Sequence, residues 1–181
     1  MRRLILWSCF LCLAGCASVG TANSRLFLSP TIYLDTLSLP LEMQNKEQIV
    51  FVTFQDSNNY AEFLVATSYL TNQMSMVFMT PEGLPLTEFT YAETGVIVQK
   101  DYQPSISLRP EYIVANLQLV LWPIEALEKA LTGAVITETN DLRELTEGGK
   151  LVMAIQYEQK TIKIRNIVHD FTMTITEVDS Q

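Results

Sequence analysis

Residues 171–178 read "FTMTITEV", and the alternation in this stretch decides the fold class. Phe171, Met173 and Ile175 fall on one side of an extended chain and Thr172, Thr174 and Thr176 on the other, because successive strand side chains point to opposite faces. A sheet with one apolar and one wet face follows, the usual mark of antiparallel pairing. Working back from it, "TIKIRNIV" (161–168), "KLVMAIQY" (150–157) and "AVITET" (134–139) carry the same β-branched and aromatic bias. The connections "EGGK" and "TNDL" supply the Gly, Asn and Asp that hairpin turns require. Further upstream, "IVFVTF" (49–54), "YAEFLVATSYL" (60–70), "MSMVFM" (74–79), "LTEFTY" (86–91) and "VIVQK" (96–100) read as strands parted by "QDSNN", "TNQ", "PEGLP" and "AETG". Connections this short predict an antiparallel meander.

One interval changes period. In residues 109–133, "RPEYIVANLQLVLWPIEALEKALTG", Ile113, Leu117, Val120 and Leu121 recur at helical spacing behind Pro110, which suits a first helical turn. Pro123 ends this helix, since the residue before a proline avoids the α region, and opens a second whose stripe is Ile124, Leu127 and Leu131. Gly133 is its candidate C-terminal cap. The order predicts a mainly β (α+β) fold, a strongly curved antiparallel sheet closed by a pair of helices. Residues 60–79 are apolar on both faces, so these strands are covered twice or line a cavity.

The other end of the chain bears on location. Arg2 and Arg3 precede an apolar run of 11 residues (4–14), too short for the ~20 residues that span a bilayer. It reads as a signal peptide. Leu13-Ala14-Gly15-Cys16 matches the bacterial lipobox, in which small residues admit the signal peptidase and the cysteine thiol takes the lipid. The expected organisation is a leader over residues 1–15, a lipidated tether over 16–25 and one β-rich domain over 26–181. Cys9 and Cys12 leave with the leader, so no disulfide is expected in the mature chain. By resemblance to enterobacterial lipoproteins, Ala17 rather than Asp after Cys16 implies the outer membrane, on its periplasmic face. Two or more acyl chains anchor stably where one does not.

Loss of Arg2 and Arg3 leaves ten basic and twenty acidic residues. No basic cluster occurs, which argues against nucleic acid as a partner; the acidity suits a soluble monomer. Catalytic sets are equally absent. The one histidine, His169, sits in "NIVHDF" and reads as a corner residue bonding backbone, since a nucleophile and base must converge with an orienting group. No G-x-S-x-G elbow appears. A lone histidine without thiols excludes the usual zinc sets. Glu138, Asp141, Glu144 and Glu147 lack calcium-loop spacing and read as a solvated hairpin. The reading is of a protein that is not an enzyme and uses no cofactor or metal.

Methionine is the informative residue. Met74, Met76, Met79, Met153 and Met173 are many for strands, where β-branched residues dominate, and methionine favours surfaces that accept varied apolar ligands. Ordinary core filling is the alternative. The candidate cavity comprises Met74, Met76, Phe78, Leu117, Trp122, Met153, Ile155, Phe171, Met173 and Ile175.

The runs "TPEGLPLTEFTY", "NLQLVLWPIEALEKAL", "GGKLVMAIQY" and "IRNIVHDFTMTIT" resemble a family of small Gram-negative lipoproteins of unknown function that accompany aryl-polyene biosynthesis clusters. More distantly, the element order is similar to LolA and LolB, half-barrels of antiparallel strands closed by helices over a cavity for acyl chains. The resemblance implies a hydrophobic client, an acyl or aryl-polyene lipid or lipoprotein acyl chains, and partners such as a LolA-like carrier or export proteins. It assigns no catalytic residue. A lipoprotein that scaffolds an envelope synthesis or export complex is the second reading, a lipid-ester hydrolase the third.

Overall fold

The computed structural model describes residues 25–103 and 109–178, so Cys16 and the expected leader over residues 1–15 lie outside the described residues. In chain order the strands and helices are β1 (Arg25–Phe27), β2 (Tyr33–Asp35), β3 (Lys46–Asp56), β4 (Tyr60–Tyr69), β5 (Gln73–Met79), β6 (Pro85–Ala92) and β7 (Gly95–Asp101), then α1 (Pro110–Leu121) and α2 (Ile124–Ala130), then β8 (Leu131–Thr132), β9 (Val135–Thr139), β10 (Leu142–Glu147), β11 (Lys150–Glu158), β12 (Thr161–Asn166) and β13 (Phe171–Glu177). Ten of the strands form one antiparallel sheet ordered β7-β6-β5-β4-β3-β13-β12-β11-β10-β9. Two meanders meet at β3 and β13, where Met173 stands opposite Phe54 and Ile175 opposite Val52. The chain is thus mainly β, with two helices on one face of a large sheet.

That sheet bends strongly, and two side chains show it. Seven inter-strand steps of about 4.8 Å would set β6 and β10 about 34 Å apart in a flat sheet. Yet the Tyr91 hydroxyl of β6 accepts a hydrogen bond from Gln118, while the Arg143 guanidinium of β10 donates to the carbonyl of Leu119. Both flanks of the sheet therefore reach adjacent residues of α1. The two edge strands, β7 and β9, do not pair with each other, so the sheet is open and not a closed barrel.

Helix α1 ends where Pro123 dictates, and the strands finish its hydrogen bonding. The last carbonyls of a helix lack intrahelical partners. Trp122 N–H takes that of Gln118, Arg143 takes that of Leu119 and, at 3.1 Å, that of Trp122 beyond it, and the Tyr157 hydroxyl takes Val120 at 2.8 Å. The guanidinium in turn holds Glu138 at 2.6 Å. By its sequence "LRELTE" reads as part of an acidic hairpin; it is β10, and its arginine faces inward.

A second sheet, β1-β2-β8, joins the chain's start to the end of the helix pair. Sequence pattern does not reveal it, because strands of two or three residues carry no period. Arg25, assigned to the tether, already pairs with Asp35. Gly133 does not cap α2, which ends at Ala130. Its φ of +88° and its approach to Thr31, where a Cβ would stand 2.0 Å from the carbonyl oxygen, let the chain turn against the β1–β2 connection.

Candidate binding cavity

Opposed residues of an antiparallel pair share a face, so the registers draw the inner surface of the sheet. Its two flanks are packed solid. Met74, Phe89 and Tyr91 on β5 and β6 are fully buried, as is Ile164 on β12, and Met153 and Ile155 on β11 are 2% exposed. Between the flanks the pattern changes. Val50, Phe54, Phe63, Ile162, Met173 and Ile175 are apolar, face inward and are only half-buried. They face a cavity of about 1120 Å³ between β3, β4, β5, β12, β13 and α1.

The helix forms its roof. Val114, Ala115 and Leu119, each fully buried, pack into the core, whereas Ile113, Leu117, Val120 and Leu121 line the cavity. A helix apolar around most of its girth normally has protein on every side; here part of that girth meets open space. Large side chains prop α1 at both ends and keep it off the sheet. At its N-terminal end the Tyr112 ring stands against His169 and Phe171 at 5.9 and 6.1 Å, and its hydroxyl accepts from Asn166 at 2.9 Å. At its C-terminal end Arg143 and Tyr157 hold the carbonyls. There Tyr91 also bonds both the Leu37 backbone and Gln118, and the Trp122 indole donates to Ser38 O at 2.9 Å. Burial pushes the Tyr91 and Tyr112 hydroxyls up to about 12, against the pull of their hydrogen-bond partners.

The size of the cavity decides what it is. Residual cavities cost about 24 cal/mol per Å³, so a dry void of about 1120 Å³ would cost on the order of 27 kcal/mol. A domain's whole stability is about 5–15 kcal/mol. A packing defect of this size would unfold the protein, so the space holds solvent or a ligand. Small-molecule pockets run about 300–1,000 Å³, and this one is slightly larger than that range. Along β3 it extends from Gln48 to Asp56, eight steps of about 3.4 Å, or about 27 Å.

The two ends differ in chemistry. One has Gln48, Thr67 and Tyr69, all uncharged; the Tyr69 hydroxyl lies 3.4 Å from Gln48 Oε1, and burial raises it to about 12. The other has Asp56, Asn59, Arg109 and His169. The Asp56 carboxylate is engaged by the Asn59 side chain and by the Asn58 and Asn59 N–H groups, both at 2.7 Å, which hold it below the usual carboxylate range. His169 lies in the β12–β13 turn, one ring nitrogen 2.9 Å from Leu28 O, and Asp170 follows it at φ +48°. In the roof, Asn116 donates to Tyr112 O at 2.7 Å, and its buried Oδ1 has no partner among the described residues.

Of the residues the sequence singles out, Met76, Phe78, Leu117, Phe171, Met173 and Ile175 line the cavity. Met74, Trp122, Met153 and Ile155 do not. Met74, Met153 and Ile155 share the inner face but lie toward the flanks, and Trp122, just past α1, turns its indole to Ser38; all four are core. Val50, Val52, Phe54, Phe63 and Val65 are wall residues absent from the sequence-based set; their signal is the alternation within "IVFVTF" and "YAEFLV". Cys16 lies outside the described residues. Among the described residues no cluster of three or more His, Cys, Asp or Glu could hold a metal ion. Glu138 instead pairs with Arg143, and Glu147 accepts from Thr31 at 2.7 Å.

Fold and site together define an open, curved antiparallel sheet with a roofed apolar cavity. The chain belongs to the DUF3261 family, proteins of unknown function, whose family model matches residues 45–179. The match takes in the whole large sheet and both helices and leaves out β1 and β2. No curated protein matches the sequence.

Proposed function

We propose that this protein is a lipid-anchored, periplasm-facing binding protein that receives or holds a hydrophobic client at the outer membrane. The half-buried apolar wall of the cavity carries the reading. Each methylene taken from water contributes about 0.8 kcal/mol, so a long acyl or polyene chain can bind there through its tail alone. The lipobox at Cys16 supports placement at a membrane. The open sheet with helices over its inner face supports a half-barrel of the LolA/LolB type, with acyl chains, an aryl-polyene lipid or a lipoprotein's lipid as client. A LolA-like carrier or export proteins would then deliver it. The turn "QDSNN" after β3 is polar where LolB bears an apolar insertion loop, which favours holding a specialised lipid over general lipoprotein insertion.

Native mass spectrometry of the mature Cys16→Ser chain, purified without detergent from a pigment-producing host, tests this. The expected spectrum contains a complex whose added mass releases a lipid on activation. A ligand-free chain that also takes up no added lipid would leave a tethered interaction domain, the scaffold reading.

A further inference from the structure

The proposed cavity is not symmetric, and its asymmetry bears on the kind of lipid it takes. Arg109 is the one cationic side chain among its lining residues that does not depend on pH for its charge. It has no carboxylate partner among the described residues, although the chain has twenty acidic side chains. The first turn of α1 fixes its position. Tyr112, one helical turn on, packs against His169 and Phe171, and Phe171 stands opposite Asp56 at the end of β3. Arg109 therefore marks the Asp56 end, while the far end offers only Gln48, Thr67 and Tyr69. The carboxylate lining this end, Asp56, already accepts hydrogen bonds from Asn58 and Asn59, and the exposed Glu111 of the first turn of α1 is not ion-paired with Arg109 among the described residues. Helix α1 also starts at this end with no side-chain cap, although Glu111 in its first turn offsets part of its positive dipole.

We propose that the cavity binds a single-chain amphiphile with an anionic head, the tail lying between α1 and the β3–β5 wall and the head against Arg109. This deepens the binding reading above and rests on it. An anion in the middle of the cavity would lose its hydration with no partner. At the exposed Arg109 end the head keeps water and gains a guanidinium fork suited to carboxylate or phosphate. The tail then has about 27 Å of apolar wall along β3. The chain as a whole carries a net charge of −8, so its general field opposes an anion. Any preference for an anionic head must come from the local cation.

The test uses the mature Cys16→Ser chain with a fluorescent long-chain fatty acid, the alcohol of the same chain, and lysophosphatidate. Wild type should bind the fatty acid or lysophosphatidate, whichever head it takes, more tightly than the alcohol, and added salt should shrink the difference. Arg109→Gln should weaken the anionic ligand about three- to tenfold and leave the alcohol nearly unchanged, with Arg109→Lys restoring part of the preference. Equal binding of alcohol and anions by wild type, or a preference untouched in Arg109→Gln, overturns the inference and leaves the cavity reading standing. Failure of all three ligands to bind overturns both. The alcohol's near-constant affinity across the variants also shows that the fold is intact.

Discussion

Replacing Arg143 by Met removes the side chain that ties the far flank of the sheet to the roof helix. The guanidinium is buried, with a side chain 7% exposed, and serves the Leu119 and Trp122 carbonyls together with Glu138. Methionine fills much of the volume and makes none of these bonds. Each of the two buried carbonyls left without a donor costs about 1–3 kcal/mol, while the Glu138 carboxylate, 35% exposed, turns to water at a cost of about 1 kcal/mol or less. Some of this is returned because the cation itself no longer has to be desolvated, so about 3–4 kcal/mol is the expected loss. Trp122 reports it directly, since its carbonyl is one of the ligands and the other tryptophan, Trp7, falls in the expected leader, which the chain used in the assay lacks. Urea unfolding of the mature chain followed by tryptophan fluorescence should show a lower midpoint at an unchanged slope. Arg143→Lys, which keeps the charge and can reach fewer carbonyls, should fall between. A loss below about 1 kcal/mol for Arg143→Met would refute the claim that this residue holds the curved sheet to α1, since surface substitutions alone stay within about 0.5 kcal/mol.

Two further outcomes are expected from sequence and backbone. Cys16→Ser should abolish lipid labelling and release the protein from membranes; a variant that still sediments with outer membranes after a high-salt wash would show that the lipobox is not the anchor. Gly133→Ala places a Cβ 2.0 Å from Thr31 O at φ +88°, so it should destabilise the chain by at least about 2 kcal/mol. A melting temperature within a degree of wild type would mean that the β1–β2 connection yields freely.

Strand order and helix position are largely legible in the sequence, because period and turn chemistry are local. "IVFVTF" extends by three residues at its start and two at its end into β3, and Pro123 parts the helices where the rule for prolines places the break. The losses have physical reasons. In "LRELTE" an arginine holds an inward position, so charge hides the strand; its partners are carbonyls 21 and 24 residues away in sequence, which no local window contains. Alternation assigns the inner face correctly, with Met153 and Ile155 on it beside Met173 and Ile175. It cannot say which part of that face the helices cover. Curvature and the propping of α1 by Tyr112, Tyr157 and Arg143 decide that, and both are tertiary. Trp122 is misplaced for the same reason: it lies just past Leu121, which faces the cavity, but its indole turns away to Ser38.

The central claim is that the space beneath α1 accepts an apolar chain, and Met173→Gln tests it most directly. Met173 is half-buried on the cavity wall. In the unliganded protein a glutamine amide there stays hydrated, so its effect on stability should remain within the common range of about 0.5–3 kcal/mol. A bound tail would strip that water away, at a cost of about 1–3 kcal/mol, or about 5- to 150-fold in affinity. Titration of a fluorescent fatty acid into wild type and variant, with urea unfolding of both, yields the two numbers. The account predicts saturable uptake by wild type and sharply weakened uptake by a stable Met173→Gln protein. No uptake by wild type, with destabilisation of the variant beyond about 4 kcal/mol, would show a solid core where the cavity is claimed.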